Sequence, residues 1–282
     1  MQEKRFPATR RIHAVFLDVD GTYADYGVVP QANANAVRAA RDAGHKVLLC
    51  TGRPLSMLQE SILAAGFDGL VTSAGAYVEV AGEVLRDRRF PVGLASRTVA
   101  SLDSHDAVYV LESQESLHVR SEVLERLRSI IEGHFNQRGA DGENGARAIL
   151  DSIKPFSADT GFSKVSVFDS SIPVGEIAGG IGQEIAAVEN SIVSEGLHTG
   201  ELFMKGISKA DGVAVAIAAL GITQKDTIAI GDGENDLEMV AFAGIGVAIE
   251  GSHPGLVALA DRTAPPPELN GIAVAFKALG LI

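Results

Sequence analysis

Tryptophan is absent from this 282-residue chain, and aromatic residues make up only 5% of it. Single-stranded nucleic acids are commonly held on stacked aromatic platforms, so their scarcity argues against that class of partner. There is one cysteine, Cys50. No intrachain disulfide can form, and a reducing cytosol is the expected compartment. Cys50 ends the apolar run Val47-Leu48-Leu49-Cys50, where a small buried hydrophobe is expected. Positive charge is also short: 24 Lys and Arg against 36 Asp and Glu leave a net charge of −12. A nucleic-acid backbone needs a basic surface to release its counterions, so no nucleic-acid partner is expected. The longest apolar segment, Gly212 to Ile222, is about half of what spans a bilayer. Met1 to Arg11 carries Lys4, Arg5, Arg10 and Arg11 without an apolar stretch, which is not a secretory pattern. No membrane anchor is read.

What the chain does have is 46% hydrophobic residues and 31 glycines, a composition suited to a soluble α/β protein with many tight strand-to-helix turns. Its length fits two modest domains. From Ile12 to Ala76 the pattern is βαβαβ. A strand ends at Asp18, a helix follows Pro30, a strand runs from Lys46 to Cys50, a helix from Leu55 to Ala65, and a strand covers Gly69 to Thr72. After Glu79 the texture turns α+β, with Arg86, Arg88 and Arg89 at its start and an amphipathic helix around Val123 to Ile131. A Gly-rich loop near Gly139 to Gly145 and the strand Lys164 to Phe168 follow. From Leu197 the α/β pattern resumes with a hairpin toward Lys205, a helix Lys209 to Leu220, a strand ending at Ile230, a helix Asn235 to Phe242 and a strand Ile245 to Ile249. The expected architecture is a Rossmann-like parallel sheet core, residues 1–85 and 193–282, interrupted by an α+β insert, residues 86–192.

Four short motifs fall at strand ends or helix starts of that core. Asp18-Val19-Asp20-Gly21-Thr22 follows the apolar strand Ala14 to Leu17, at the edge where open α/β sheets place ligands. One carboxylate there suits attack on an electrophile and the other, two residues on, suits proton transfer. Mutual repulsion and desolvation of such a pair imply a cation, Mg²⁺. Taken alone, the same letters suit a turn with two exposed acids. Thr51-Gly52-Arg53 follows the next strand, where a hydroxyl and backbone N–H groups can hold an anion, although Thr-Gly is also a routine turn. In Gly206-Ile207-Ser208-Lys209, Ser208 suits an N-cap, and Lys209 in the first helical turn opposes the helix dipole unless an anion lies beside it. Lys205 is the competing lysine and reads as a surface residue. Gly231-Asp232-Gly233-Glu234-Asn235-Asp236 crowds three acids and an amide into one strand-to-helix turn, natural around Mg²⁺. Asp141-Gly142-Glu143-Asn144 repeats four of those letters with no strand before it and reads as a solvated loop.

These motifs, in this order and with Gly246-Val247-Ala248-Ile249 after the last, resemble the haloacid dehalogenase (HAD) superfamily. The place of the insert resembles its Cof-type phosphatases with a type IIB cap. The resemblance implies a HAD-like core and a phosphoric monoester hydrolase. Asp18 would attack phosphorus to give an aspartyl-phosphate, and Asp20 would serve as general acid and base, its geometry held by Thr22. Thr51, Gly52, Lys209 and Asn235 would bind the phosphoryl group. Asp18, the Asp20 carbonyl and Asp232 would hold Mg²⁺ with Asp236 behind them. A small phosphorylated metabolite, sugar phosphates first, is the implied substrate, chosen by the cap through candidates such as Arg120, Lys154 and Lys164. A phosphomutase on the same scaffold and a non-catalytic, Mg²⁺-binding, phospho-accepting regulator are the alternatives. Many relatives carry Asn-Gly-Ala where this chain has Ser73-Ala74-Gly75-Ala76. Ala210 follows Lys209 where Gly is common, and Gly251-Ser252-His253 replaces a more usual Asn-Ala. These departures bear on substrate identity.

Overall fold

A computed structural model describes residues 11–25, 27–135, 149–157, 160–189 and 197–282. It holds two sheets. The first contains β1 (Ala14–Leu17), β2 (Lys46–Cys50), β3 (Gly69–Thr72), β4 (Tyr77–Val80) and β5 (Glu83–Asp87) from the N-terminal part. β12 (Thr227–Gly231), β13 (Ile245–Ile249) and β14 (Arg262–Ala264) come from the C-terminal part, and the spatial order is β14-β13-β12-β1-β2-β3-β4-β5. The six strands from β14 to β3 run parallel, and β4 and β5 extend the sheet as an antiparallel meander. All four residues of β1 are buried, as expected of a central parallel strand covered on both faces.

Helices provide that cover. On one face α1 (Gln31–Asp42), the short α2 (Glu60–Leu63) and the last helix, Gly271–Ala278, contribute Val37, Ile62, Ile272 and Phe276 to a core with Val15, Leu17, Leu49 and Ile230. On the other face the helices Lys209–Leu220, Leu237–Phe242 and Pro254–Leu259 pack Val213, Met239 and Leu256 against Phe16, Leu48 and Ala229. Cys50 lies fully buried in this second layer.

The second sheet has the order β10-β11-β9-β6-β7-β8, built from β6 (Val108–Glu112), β7 (Leu117–Val119), β8 (Ile153–Pro155), β9 (Lys164–Asp169), β10 (Ile185–Glu189) and β11 (Gly200–Met204). Helices α3 (Val92–Ser104) and α5 (Val174–Ile181) cover one face through Leu94, Leu102, Ile177 and Ile181. Helix α4 (Leu124–Phe135) lays Leu127 and Ile131 on the other.

Two sequence expectations change. Strand Gly200–Met204, placed with the core on the strength of a hairpin, pairs antiparallel with both β9 and β10. The return to the first sheet therefore falls after Met204, not at 192/193. The helix expected from Leu55 to Ala65 is split into a 3₁₀ turn, Leu55–Met57, and α2, because Leu58 and Gln59 are extended. The Leu55 N–H that would open the longer helix is taken by Gln114 Oε1 of the insert at 3.0 Å. Residue 192 and the Asp141 to Asn144 repeat lie outside the described residues. Among those described, no helix is long and apolar enough to cross a membrane.

Candidate active site

The order β12-β1-β2 with parallel pairing sets the carboxyl ends of three strands side by side, and three of the four motifs start there. The fourth arrives on α6 (Lys209–Leu220). Its first turn is capped by Ser208, whose Oγ accepts from Asp211 N–H at 3.3 Å. Gly75, at φ +98°, lets the Ser208 carbonyl come so close that an added Cβ would lie 2.0 Å from it. That contact seats the start of α6 against the end of β3.

Lys209 is the hub. Its side chain is fully buried, and Nζ donates to Asp18 Oδ1 at 2.7 Å and to Asp236 Oδ1 at 2.6 Å. Burial opposes the ammonium, but Asp18 and Asp236 outweigh it and hold the lysine pKa above its ordinary value. Lys205, the competing lysine, is exposed. Asp18 is pushed well above the usual carboxylate range by burial, which Lys209 only partly offsets and which Asp236, Asp232 and Asp20 reinforce. Asp232 is pushed up to about 6 by burial and by Asp236.

Asp236 accepts at Oδ2 from the N–H groups of Asp232 and Gly233, at 3.0 and 2.9 Å. Fully buried and held at both oxygens, it orders the turn that carries Asp232. Thr22 Oγ1 donates to Asp232 Oδ1 at 2.9 Å. This corrects the expectation that Thr22 steadies Asp20. Side-chain oxygens of Asp18, Asp232 and Asp236 lie within 4.8 Å of one another. Three carboxylates then face one ammonium, and their hard oxygen donors fit a divalent cation such as Mg²⁺. Asp18 and Asp232 each use one oxygen on Lys209 and Thr22, which leaves the other for an ion.

Asp20 is held by Arg53, whose Nε and one η nitrogen lie 2.6 and 2.5 Å from its two oxygens. Arg53 lies within the second motif, and a turn arginine carries no sequence signal for the carboxylate it will meet. Thr51 is buried, and its Oγ1 accepts from Arg53 N–H at 3.1 Å. Asn235 is exposed, and its Nδ2 would lie 3.5 Å from a Cβ on Gly52, so the second and fourth motifs face each other. The catalytic and binding candidates Asp18, Asp20, Thr51, Gly52, Lys209, Asn235, Asp232 and Asp236 thus converge on one edge of the first sheet.

The candidates in the insert separate. Arg120 pairs with Asp103 at 2.6 Å and stacks on Phe156, and Lys154 is exposed. Lys164 alone of the three reaches the motifs: Nζ donates to the Gly52 carbonyl at 2.9 Å. Gln114, which sequence reading passed over, also crosses between the sheets, donating to Ser73 Oγ at 2.9 Å and accepting from Thr72 Oγ1 at 2.8 Å. His253 is exposed at the start of its helix.

With this fold and this cluster in view, the chain belongs to the haloacid dehalogenase-like hydrolases, which match residues 15–276. It is a phosphatase of the HAD superfamily, of Cof type. It is similar to YkrA of Bacillus subtilis (strain 168), which bears a phosphatase's name, at 25% identity over 95% of this chain and 98% of that one. It is likewise 25% identical to a phosphoglycolate phosphatase of Archaeoglobus fulgidus, over 95% of this chain and 97% of the relative. A crystal structure of a protein from Geobacillus kaustophilus HTA426 superposes with a TM-score of 0.79 at 26% identity, covering 96% of this chain and all of that one. The sugar phosphatase BT4131, of HAD subclass IIB, has the same fold at a TM-score of 0.76 and 23% identity over 96% of this chain and all of its own.

Proposed function

We propose that this phosphatase hydrolyses phosphomonoesters of small metabolites in a Mg²⁺-dependent reaction, with sugar phosphates as the first class to test. The observation that carries the reading is the buried Asp18-Lys209-Asp236 array beside Asp232, with a second carboxylate, Asp20, two residues from Asp18. Asp18 attacks phosphorus in line, forming an O–P bond as the bond to the leaving oxygen breaks. Asp20 gives its proton to that oxygen. Water then attacks the aspartyl-phosphate while Asp20 takes a proton from it, releasing phosphate and restoring Asp18. Lys209, the Thr51 hydroxyl and Asn235 are placed to bind the phosphoryl oxygens, where electrostatic stabilisation is largest.

Asp18, the Asp20 carbonyl and Asp232 would hold Mg²⁺, with Asp236 orienting Asp232 from behind, and the bound ion would supply positive charge to the phosphoryl group. The α+β unit, whose sheet runs from Val108 to Met204, acts as a cap that shields the reaction and selects the leaving group. Names of relatives support a small substrate: phosphoglycolate for one and a phosphoribitylaminouracil for another. An acidic protein working on a soluble metabolite needs neither nucleic acid nor membrane, and the cytosol suits its single buried thiol.

The test is Asp18→Asn, assayed with p-nitrophenyl phosphate with and without a chelator, alongside circular dichroism. The isosteric amide cannot attack phosphorus, so turnover is expected to vanish with the fold intact. Retention of more than roughly a hundredth of the activity, below the loss expected even for an acid–base group, would remove Asp18 as nucleophile. Full activity after exhaustive chelation would remove the metal.

A further inference from the structure

The Thr51-Gly52-Arg53 turn presents three carbonyl oxygens in succession, and each has its own donor. Thr51 O accepts from Ala74 N–H at 3.0 Å and Arg53 O from Ser73 N–H at 2.9 Å, both from the first sheet's own loop. Between them, Gly52 O accepts from Lys164 Nζ, which lies 112 positions further along the chain and on the other sheet. The cap supplies the middle one of three supports under the turn that carries Thr51 and Arg53.

Lys164 opens β9 and is 4% exposed. Its ammonium also meets Glu201 Oε1 at 2.9 Å and Glu112 Oε2 at 3.3 Å. Glu112 is fixed in turn, its Oε1 accepting from Ser166 Oγ. Buried ion clusters of this kind are poor sources of stability, and apolar replacements are often as stable or more so. Position explains this one better. Two carboxylates from neighbouring strands aim one ammonium at one carbonyl of the catalytic unit. Gln114 makes a parallel contact: it holds Ser73 Oγ, and Ser73 N–H holds the Arg53 carbonyl.

Building on the hydrolase reading above, we propose that Lys164 is a positioning residue for the reaction. Its ammonium, set by Glu112 and Glu201, docks on Gly52 O and orders the Thr51-Gly52-Arg53 turn, so that Thr51 and the Arg53-bound Asp20 take up working positions only with the cap seated. Lys164 then acts through the turn and makes no contact with substrate.

Three variants of the full chain test this: Lys164→Met, Lys164→Arg, and Lys164→Met/Glu112→Gln, the last relieving the carboxylate left unpaired. Each is followed by hydrogen–deuterium exchange and by steady-state kinetics on p-nitrophenyl phosphate. In the folded Met variants the peptide spanning Thr51 to Leu55 should exchange roughly fivefold faster or more, while β1 stays protected. Misplacing the turn by about an ångström should lower kcat by ~10–100-fold with KM within about threefold. Lys164→Arg keeps a donor for Gly52 O and should hold kcat within roughly fivefold of the parent. Unchanged exchange at the turn in a folded Met variant overturns the proposal. So does a raised KM with kcat retained, which would make Lys164 a substrate contact. Loss of kcat in the Arg variant equal to that in Met also overturns it. Should the parent hydrolyse no phosphate ester, the hydrolase reading fails by itself, and the exchange at Thr51 to Leu55 still decides whether Lys164 orders the turn.

Discussion

Arg53 closes on both oxygens of Asp20, with Nε at 2.6 Å and an η nitrogen at 2.5 Å. The guanidinium and the proposed proton carrier come from consecutive motifs at the ends of β1 and β2, which lie side by side in parallel register. A forked donor matched to a carboxylate fixes direction as well as charge.

Removing the fork should therefore loosen the proton carrier without deleting it. Arg53→Ala is expected to lower kcat by ~10–100-fold, less than the ~10²–10⁴ of losing the acid–base group itself in Asp20→Asn. Arg53→Lys should recover little, because one ammonium cannot make two parallel bonds. Steady-state kinetics on the three variants check the order. An Arg53→Lys enzyme with parental kcat would show that charge alone, not the fork, is what Asp20 needs.

Adjacent residues of the loop after β3 should respond in opposite directions. Ala74 sits at φ +54°, a left-handed conformation unfavourable for a residue with a Cβ. Ala74→Gly should stabilise the fold by about 0.5 kcal/mol, because relief of the left-handed strain exceeds the added chain entropy. Gly75→Ala meets the Ser208 carbonyl at 2.0 Å. It should shift the start of α6, and Lys209 with it, and so lower both the melting temperature and turnover. Thermal melts and kinetics on the pair decide this, and a fully active Gly75→Ala would mean that the α6 contact does not seat Lys209.

Asp232 would link pH to the proposed metal. Its carboxyl is pushed up to about 6 by burial and Asp236, above the value of 3.8 it would have unperturbed. The folded, metal-free protein thus favours the protonated form. That contribution to stability is fully present below the unperturbed value and is lost as the pH rises through about 6. Mg²⁺ needs the ionised form, so its thermal shift should grow from pH 5 to pH 7. Asp232→Asn should flatten both trends. Melting curves of chelated and Mg²⁺-loaded protein measure them, and a thermal shift that shrinks with rising pH would remove Asp232 from the metal site.

The edge that carries the candidate site was legible because parallel strands covered on both faces appear as short apolar runs, and the polar letters that follow each run mark its carboxyl end. Ala14 to Leu17 before Asp18, and Thr227 to Ile230 before Asp232, follow that rule, and the Ser208 cap announces α6. Once those strands are adjacent and parallel, the motifs must meet.

Side-chain pairings between strand ends had no such local signal. That Thr22 holds Asp232 and that Arg53 holds Asp20 depend on where side chains point after packing. After Pro54, Leu58 and Gln59 turn extended between the two helical pieces, and Gln114, more than fifty residues away, takes the Leu55 N–H. Sequence by itself determined the parallel core and the polar residues at its strand ends, since each follows from apolar periodicity and strand-end chemistry, while the family was legible only as a resemblance of four motifs. Only the tertiary structure decided which residue of the insert reaches the turn. Lys164, Arg120 and Lys154 are equally basic as letters, and β9 alone carries its lysine to the Gly52 carbonyl.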